Sequence, residues 1–247
     1  MSHKFGLIGR NLSHSFSKEY FNNKFKKEDL NHCKYDNYAF ESIDKVGRFL
    51  QTTDCLGFNV TIPYKVSILP YLNELDECAA AVGAVNTLKI RANGEIKGFN
   101  TDVHGFSASL PDNLNPQKRA LIIGSGGASK AIQFALNQQN IFSLVVSRNP
   151  SKPQQISYED LARLDLSTVE LILNCTPLGT YPEVSSHPSF PYDKLNQDHF
   201  AYDLVYNPEE TIFLKKAARM GARTQNGRKM LELQAEASWK IWQDTTI

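Results

Sequence analysis

Two glycines one residue apart, Gly124 and Gly126, follow the apolar run Ala120-Leu121-Ile122-Ile123 and precede the small residues Gly127, Ala128 and Ser129. A helical pattern, Ala131-Ile132-Gln133-Phe134-Ala135-Leu136, comes directly after. A buried strand that turns tightly into a helix can seat a dinucleotide pyrophosphate. The first glycine allows the turn, and the second lets phosphate approach bare backbone at the positive end of the helix. The third small position is Ser129, neither Gly nor Ala. A Gly-x-Gly pair is weak by itself and gains its weight from the strand before and the helix after.

The next apolar run, Phe142-Ser143-Leu144-Val145-Val146-Ser147, bears on which dinucleotide is held. An NAD site places a carboxylate about 20 residues past the glycines to hold the ribose 2′-hydroxyl. Here the strand ends in Ser147-Arg148-Asn149-Pro150-Ser151-Lys152, with two cations and no acid. An arginine fork suits a 2′-phosphate, so NADP is favoured over NAD; a solvated basic turn is the plain alternative.

Other polar residues have two readings each. In Asn59-Val60-Thr61-Ile62-Pro63-Tyr64-Lys65, a strand carries Asn59 and Thr61 on one face, and Pro63 suits the first turn of a helix. Lys65 then lies near a helix N-terminus, where the dipole disfavours a cation, so it either reaches solvent or serves a purpose. Asp102, in Asn100-Thr101-Asp102 ahead of a helix expected over 103–110, reads as an N-cap. In the loop Gly9 to Ser17, Ser15 or Ser17 can cap the following helix, or the hydroxyls can bind a polyol or carboxylate. The adjacent His14-Ser15 pair is no hydrolase signature, because no Gly-x-Ser-x-Gly elbow accompanies it. Gln234 falls on the apolar arc of the last helix with Met230, Ala237 and Ile241, so it is a satisfied core polar group or a ligand contact. Thr176 follows the buried strand Val169 to Asn174, at the strand end where ligand crevices form.

These residues need elements to position them. Strands are expected at 5–8, 34–40, 56–62, 83–90, 95–98, 119–123, 142–147, 169–174 and 199–206. Helices are expected at 18–27, 43–50, 75–81, 103–110, 158–164 and 228–242, with another that Asn207 caps, Pro208 starts and Gly221 ends. Asn93-Gly94 signals a hairpin, while 111–116, 151–155 and 181–192 read as loops.

The 247 residues carry a net charge of +1, which points to neither nucleic acid nor an anionic membrane as partner. No apolar run reaches the ~20 residues of a membrane span, and the first residues do not read as a signal peptide. Four scattered cysteines without a Cys-x-x-Cys fit free thiols in a reducing cytosol. The six histidines show no close pairing at metal-ligand spacing, so no metal is expected.

Together, His14-Ser15-Phe16-Ser17, the Asn59 to Lys65 stretch, Gly83-Ala84-Val85-Asn86-Thr87, Asn100-Thr101-Asp102 and the glycine loop resemble the shikimate dehydrogenase family, in the family's order and over nearly the whole chain. The resemblance implies two α/β domains: an N-terminal substrate domain with a mixed sheet (1–101 plus 227–247) and a Rossmann-like NADP-binding domain (102–226), the active-site cleft between them. It implies NADPH-dependent reduction of 3-dehydroshikimate to shikimate, in the cytoplasm, by a monomer or homodimer. Lys65 is implied as catalytic and Asp102 as the carboxylate that holds and charge-pairs it. Ser15, Ser17, Thr61, Asn86, Tyr206 and Gln234 are implied as substrate contacts. Gly124, Ser125, Gly126, Gly127, Ala128, Ser147, Arg148, Lys152, Thr176 and Gly227 are implied around the cofactor. Leu12 and Lys18 stand near positions where the family usually has prolines, and Lys229 where it often has glycine. Rival expectations are a quinate or shikimate dehydrogenase using NAD, which an acidic residue at position 147 would have favoured, and a non-catalytic NADP-binding sensor, which loss of Lys65 or Asp102 would have indicated.

Overall fold

The computed structural model describes residues 2–12, 15–115 and 117–246. His14 of the hydroxyl loop and Pro116 at the end of the proline-bearing loop lie outside the described residues. The chain divides into two compact units, Met1–Thr101 with Gln234–Ile247, and Asp102–Leu233.

The first unit is built on a six-stranded mixed sheet of β1 (His3–Gly9), β2 (Cys33–Ala39), β3 (Gly57–Val60), β4 (Glu74–Leu75), β5 (Thr87–Ile90) and β6 (Ile96–Phe99), in the order β2-β1-β3-β5-β6-β4. β1 runs parallel to both β2 and β3, whereas β3, β5 and β6 alternate in direction. The Asn93-Gly94 signal joins β5 to β6, with Gly94 at φ +86°, a conformation that suits glycine. Helix α1 (Phe16–Lys27) buries Phe21 and Phe25, one turn apart, and places Lys24, Lys26 and Lys27 where its dipole favours cations. Helix α2 (Ile43–Leu50) has the bounds its apolar spacing predicts. Helix α3 (Tyr64–Ser67) is one turn, and α4 (Glu77–Val82) is capped by the Asp76 carboxylate and closed by Gly83 at φ +65°. An aromatic core of Phe5, Phe21, Phe25, Tyr35, Trp239 and Trp242 fills one side of the sheet. Phe58, Val60, Tyr64, Ile68 and Leu88 gather in a second cluster.

The second unit holds β7 (Arg119–Ile123), β8 (Ser143–Val146), β9 (Gln155–Ile156), β10 (Val169–Asn174), β11 (Phe200–Asp203) and β12 (Arg223–Gln225), every pairing parallel. Their order, β12-β11-β10-β7-β8-β9, is that of a doubly wound dinucleotide-binding sheet, with the strand order reversing between β7 and β10. Helices α5 (Thr101–Ser109), α6 (Gly127–Gln138), α7 (Tyr158–Arg163), α8 (Ile212–Arg219) and α9 (Arg228–Gln243) complete the chain, which returns to the first unit within α9, at Gln234. β10 is buried at all six positions, as a central parallel strand must be.

Several expectations are corrected. Part of the loop expected over 151–155 pairs with β8 as β9. Asn207-Pro208 does not start α8: Thr211 caps it, accepting from the Leu214 amide at 3.3 Å. The Thr211 hydroxyl is itself fixed by a 2.6 Å bond to the Asp203 carboxylate, eight residues earlier, which sets where the helix begins. Asp102 lies in the first turn of α5, not at its cap. Pro63 sits at the N-cap of α3, one position ahead of the first turn.

Candidate active site

In the first unit the carboxyl ends of β1, β3 and β6 meet the start of β5, because β5 runs antiparallel to its neighbours. The Thr61 amide donates to Ile8 of β1 (2.9 Å), and the Val60 amide to Asn86 (2.8 Å). The Val85 amide donates to the carbonyl of Lys65 at 2.8 Å, so α3 is anchored beside Asn86. Four predicted residues, Thr61, Lys65, Asn86 and Gln234, thus belong to one end of one sheet and to two helices, α3 and α9. Lys65 is half-buried. Its helix has four residues, too few for the dipole argument drawn from sequence to carry weight.

Asn86 is buried, and its side chain is held on both atoms. Its Oδ1 accepts from the Thr101 amide (2.7 Å), and its Nδ2 donates to Thr101 Oγ1 (2.9 Å) and to Gln234 Oε1 (3.2 Å). One turn along α9, Ser238 ties the network together. Its hydroxyl lies 2.9 Å from Asn59 Nδ2, which donates to it, and 2.7 and 3.1 Å from the hydroxyls of Thr87 and Thr101. Tyr35 donates to Asn59 Oδ1 at 2.8 Å. Burial pushes the Tyr35 phenol well up, and the Ser17 hydroxyl bonded to it pulls the other way. Ser17 thus has a hydrogen bond within the unit, whereas the buried Oγ of Ser15 has no hydrogen-bond partner among the described residues. Ser15 occupies the N-cap position of α1 without making the cap bond that its sequence position allows. Sequence reasoning missed Ser238 and Tyr35; the signal for Ser238 was its place one turn beyond Gln234 on the buried face.

In the second unit the loops after β7 and β10 flank the point where strand order reverses. Gly124 has φ +107°, which favours glycine, and a Cβ there would lie 3.0 Å from Thr176 Cγ2, so the two loops touch. A Cβ at Gly126 would meet nothing within 4 Å: the N-terminus of α6 faces open space of the kind a phosphate needs. Ser129 is buried and donates to the Gly126 carbonyl at 2.6 Å, so the hydroxyl braces the turn at the position usually given to Gly or Ala. Ser125 and Ser147 approach hydroxyl to hydroxyl at 3.2 Å, which brings the glycine loop against the turn after β8. In that turn Arg148 and Lys152 are exposed, and the charge of Arg148 reaches Tyr158. Gly227 is buried where a Cβ would lie 2.1 Å from the Leu204 carbonyl oxygen, so backbone packing alone requires glycine there. Tyr206 is half-buried just past β11.

A buried network missing from the sequence reading braces these loops. Asn174 at the end of β10 accepts from the amide (3.0 Å) and hydroxyl (2.6 Å) of Thr176, and donates to Asp203 at 2.9 Å. Asp203 also accepts from the Val205 amide at 3.0 Å and from Thr211. Loss of solvent raises its pKa to about 6, despite hydrogen bonds from Thr211, Val205 and Asn174 that favour the ionised form. The unfolded chain loses this proton near pH 3.9, so between roughly pH 4 and 6 the folded state holds more protons. The stability this group contributes is therefore present below about pH 4 and lost as pH rises through about 6. Asp203→Asn removes the buried charge, so wild type is expected to lose melting temperature relative to the variant between pH 4 and pH 8. A gap that stays constant across that range would show that the carboxyl is not what titrates.

The parallel order of the second sheet, the glycine loop at its switch point and the basic turn after β8 define an α/β dinucleotide-binding protein with a separate second unit. Residues 7–88 match the family model for the shikimate dehydrogenase substrate binding domain. The chain is 37% identical to the shikimate dehydrogenase (NADP(+)) of Methanococcus vannielii, over 96% of this chain and 90% of that protein. It superposes with a TM-score of 0.88 on the crystal structure of shikimate dehydrogenase 1 from Peptoclostridium difficile, at 36% identity over 99% of this chain and 93% of that one. A shikimate dehydrogenase crystallised in complex with NADP+ gives a TM-score of 0.85 at 32% identity, covering 98% of this chain and 90% of that one. The chain belongs to the shikimate dehydrogenase family. Among the described residues, no helix is long and apolar enough to cross a membrane.

Proposed function

We propose that this protein reduces 3-dehydroshikimate to shikimate with NADPH, reversibly, as a step towards chorismate and the aromatic amino acids. The observation that carries this is the gathering of Thr61, Lys65, Asn86 and Gln234 at one end of the mixed sheet, where hydroxyl, amide and ammonium groups suit a small polyol. The second unit fits the cofactor: Gly124 to Ala128 and the start of α6 suit the pyrophosphate, Ser147, Arg148 and Lys152 the 2′-phosphate, and Thr176 the opposite loop. Bound NADPH supplies the hydride. Lys65 donates a hydrogen bond or its proton to the carbonyl oxygen as negative charge develops there. Asp102, buried in the first turn of α5, is the carboxylate this reading pairs with that lysine. Ser15, Ser17, Thr61, Asn86, Tyr206 and Gln234 hold the substrate hydroxyls and carboxylate, Ser17 being also bonded to Tyr35. Gly227 lets the backbone ahead of α9 lie close to the end of β11 on the cofactor side. Four free cysteines accord with work in the reducing cytoplasm.

The test is to follow reduced-cofactor absorbance with shikimate and quinate, each offered with NADP and NAD. Turnover of shikimate with NADP is expected to dominate. Preference for quinate with NAD would replace the assignment by the rival dehydrogenase. Cofactor binding without turnover of either acid would make the protein a sensor.

Gln234→Ala is expected to raise KM for shikimate about tenfold, the size of one good hydrogen bond to a ligand. The same change removes an acceptor from the Asn86 amide, so a fall in melting temperature of about 2–4 °C should accompany it. Unchanged KM with lowered stability would make Gln234 purely structural.

A further inference from the structure

The N-terminal end of the β1–β2 pair brings His3 against the adjacent residues His32 and Cys33, which lie far from it in sequence. Parallel register sets His3 directly opposite Cys33, and the His3 amide donates to the His32 carbonyl at 2.8 Å. Candidate ligand atoms of His3, His32 and Cys33 all lie within 4.8 Å of one another. The two imidazoles stand edge to face, 81° apart with centroids at 4.9 Å, so neither ring stacks over the other. Both histidines are exposed, while Cys33 is rooted in the aromatic core beside Phe5, Phe25 and Tyr35.

We propose that His3, His32 and Cys33 form a binding site for a borderline-soft divalent cation, Zn²⁺ foremost, with water as the fourth ligand. Two imidazoles and a thiolate are the donor set such an ion prefers over oxygen-seeking Mg²⁺ or Ca²⁺. Bonds of about 2.3 Å to sulfur and about 2.0 Å to nitrogen place tetrahedral donors roughly 3.3–3.6 Å apart. The present spread closes to that by about an ångström of movement in two exposed rings, with the sulfur left in place. Binding forms a metal–sulfur bond and releases the Cys33 thiol proton to solvent; no electrons are transferred. The ion clips β2, an edge strand, and the turn before it to β1. Predicted substrate residues lie towards the other end of this sheet, about 20 Å away for a seven-residue β1 at about 3.3 Å per residue. The site therefore stabilises the fold and leaves turnover alone.

Titrating the tag-free, chelator-treated full chain with Co²⁺ tests this. One equivalent is expected to give a thiolate-to-cobalt charge-transfer band in the near ultraviolet with tetrahedral bands in the visible. Cys33→Ser should abolish the charge-transfer band. His32→Ala, an exposed change that leaves the core intact, should weaken cobalt binding at least tenfold. Zn²⁺ should raise the melting temperature of wild type but not of His32→Ala, with kcat equal in both. Absence of the band, its persistence in Cys33→Ser, or undiminished binding in His32→Ala would each overturn the assignment.

Discussion

Replacing Lys65 by alanine is expected to lower kcat by about 10²–10⁴-fold, the usual range for a proton-transfer group, with KM for shikimate changing little. Oxygen gains negative charge only as hydride arrives, so a donor aimed at it acts more on the transition state than on the bound ketone. The fold should tolerate the change. Lys65 is half-buried in a single helical turn, and the bond that anchors this turn uses its backbone carbonyl, which alanine keeps. Steady-state kinetics with a melting curve on the same preparation therefore separate chemistry from stability. A rise in KM with unchanged kcat would reduce Lys65 to a binding contact. The functional reading of Lys65 no longer draws on an unfavourable helix dipole, because four residues make almost none. It draws on what surrounds the lysine, namely Thr61 ahead of it and Asn86 beside it.

Lys65 illustrates which parts of the molecule its sequence reveals. Residue types and short-range spacing were legible: the Gly124 turn, the Asn93-Gly94 hairpin and the bounds of α2 depend on neighbours a few residues away. What long-range contacts decide was not. The start of α8 looked like Asn207-Pro208 because those residues are good local starters, yet the hydroxyl of Thr211, fixed by Asp203 from β11, wins. β9 and β12 have two and three residues, too few to show an alternating pattern, and form because a neighbouring strand offers its backbone. The polar network around Ser238 joins four stretches that no spacing rule links. His3 and Cys33 likewise meet through strand register, which a search for closely spaced histidines cannot see.

Arg148→Ala is expected to weaken NADP binding by about 10–100-fold and NAD binding hardly at all. A hydrogen bond to a charged group contributes roughly 1.5–3 kcal/mol, and only NADP carries the phosphate that would accept it. Arg148 is free to do this: it is exposed, beyond the end of β8, in a turn braced by the Ser147 hydroxyl accepting from the Asn149 amide at 3.3 Å. The same hydroxyl touches Ser125 of the glycine loop, so the turn is tied to the loop that would hold the pyrophosphate. Exposure also makes the experiment clean, since an alanine here opens no cavity and should leave the melting temperature within about 1 °C. Binding titrations with each cofactor, repeated at higher salt, give a second check. The NADP advantage of wild type should shrink as salt screens the phosphate, and the alanine variant should respond less. Equal weakening of both cofactors would mean that Arg148 supports the turn and that selectivity falls to Lys152 or Ser147. A double variant, Arg148→Ala with Lys152→Ala, then apportions the two cations. If their losses add, each meets the phosphate independently; if the pair loses less than the sum, they share it.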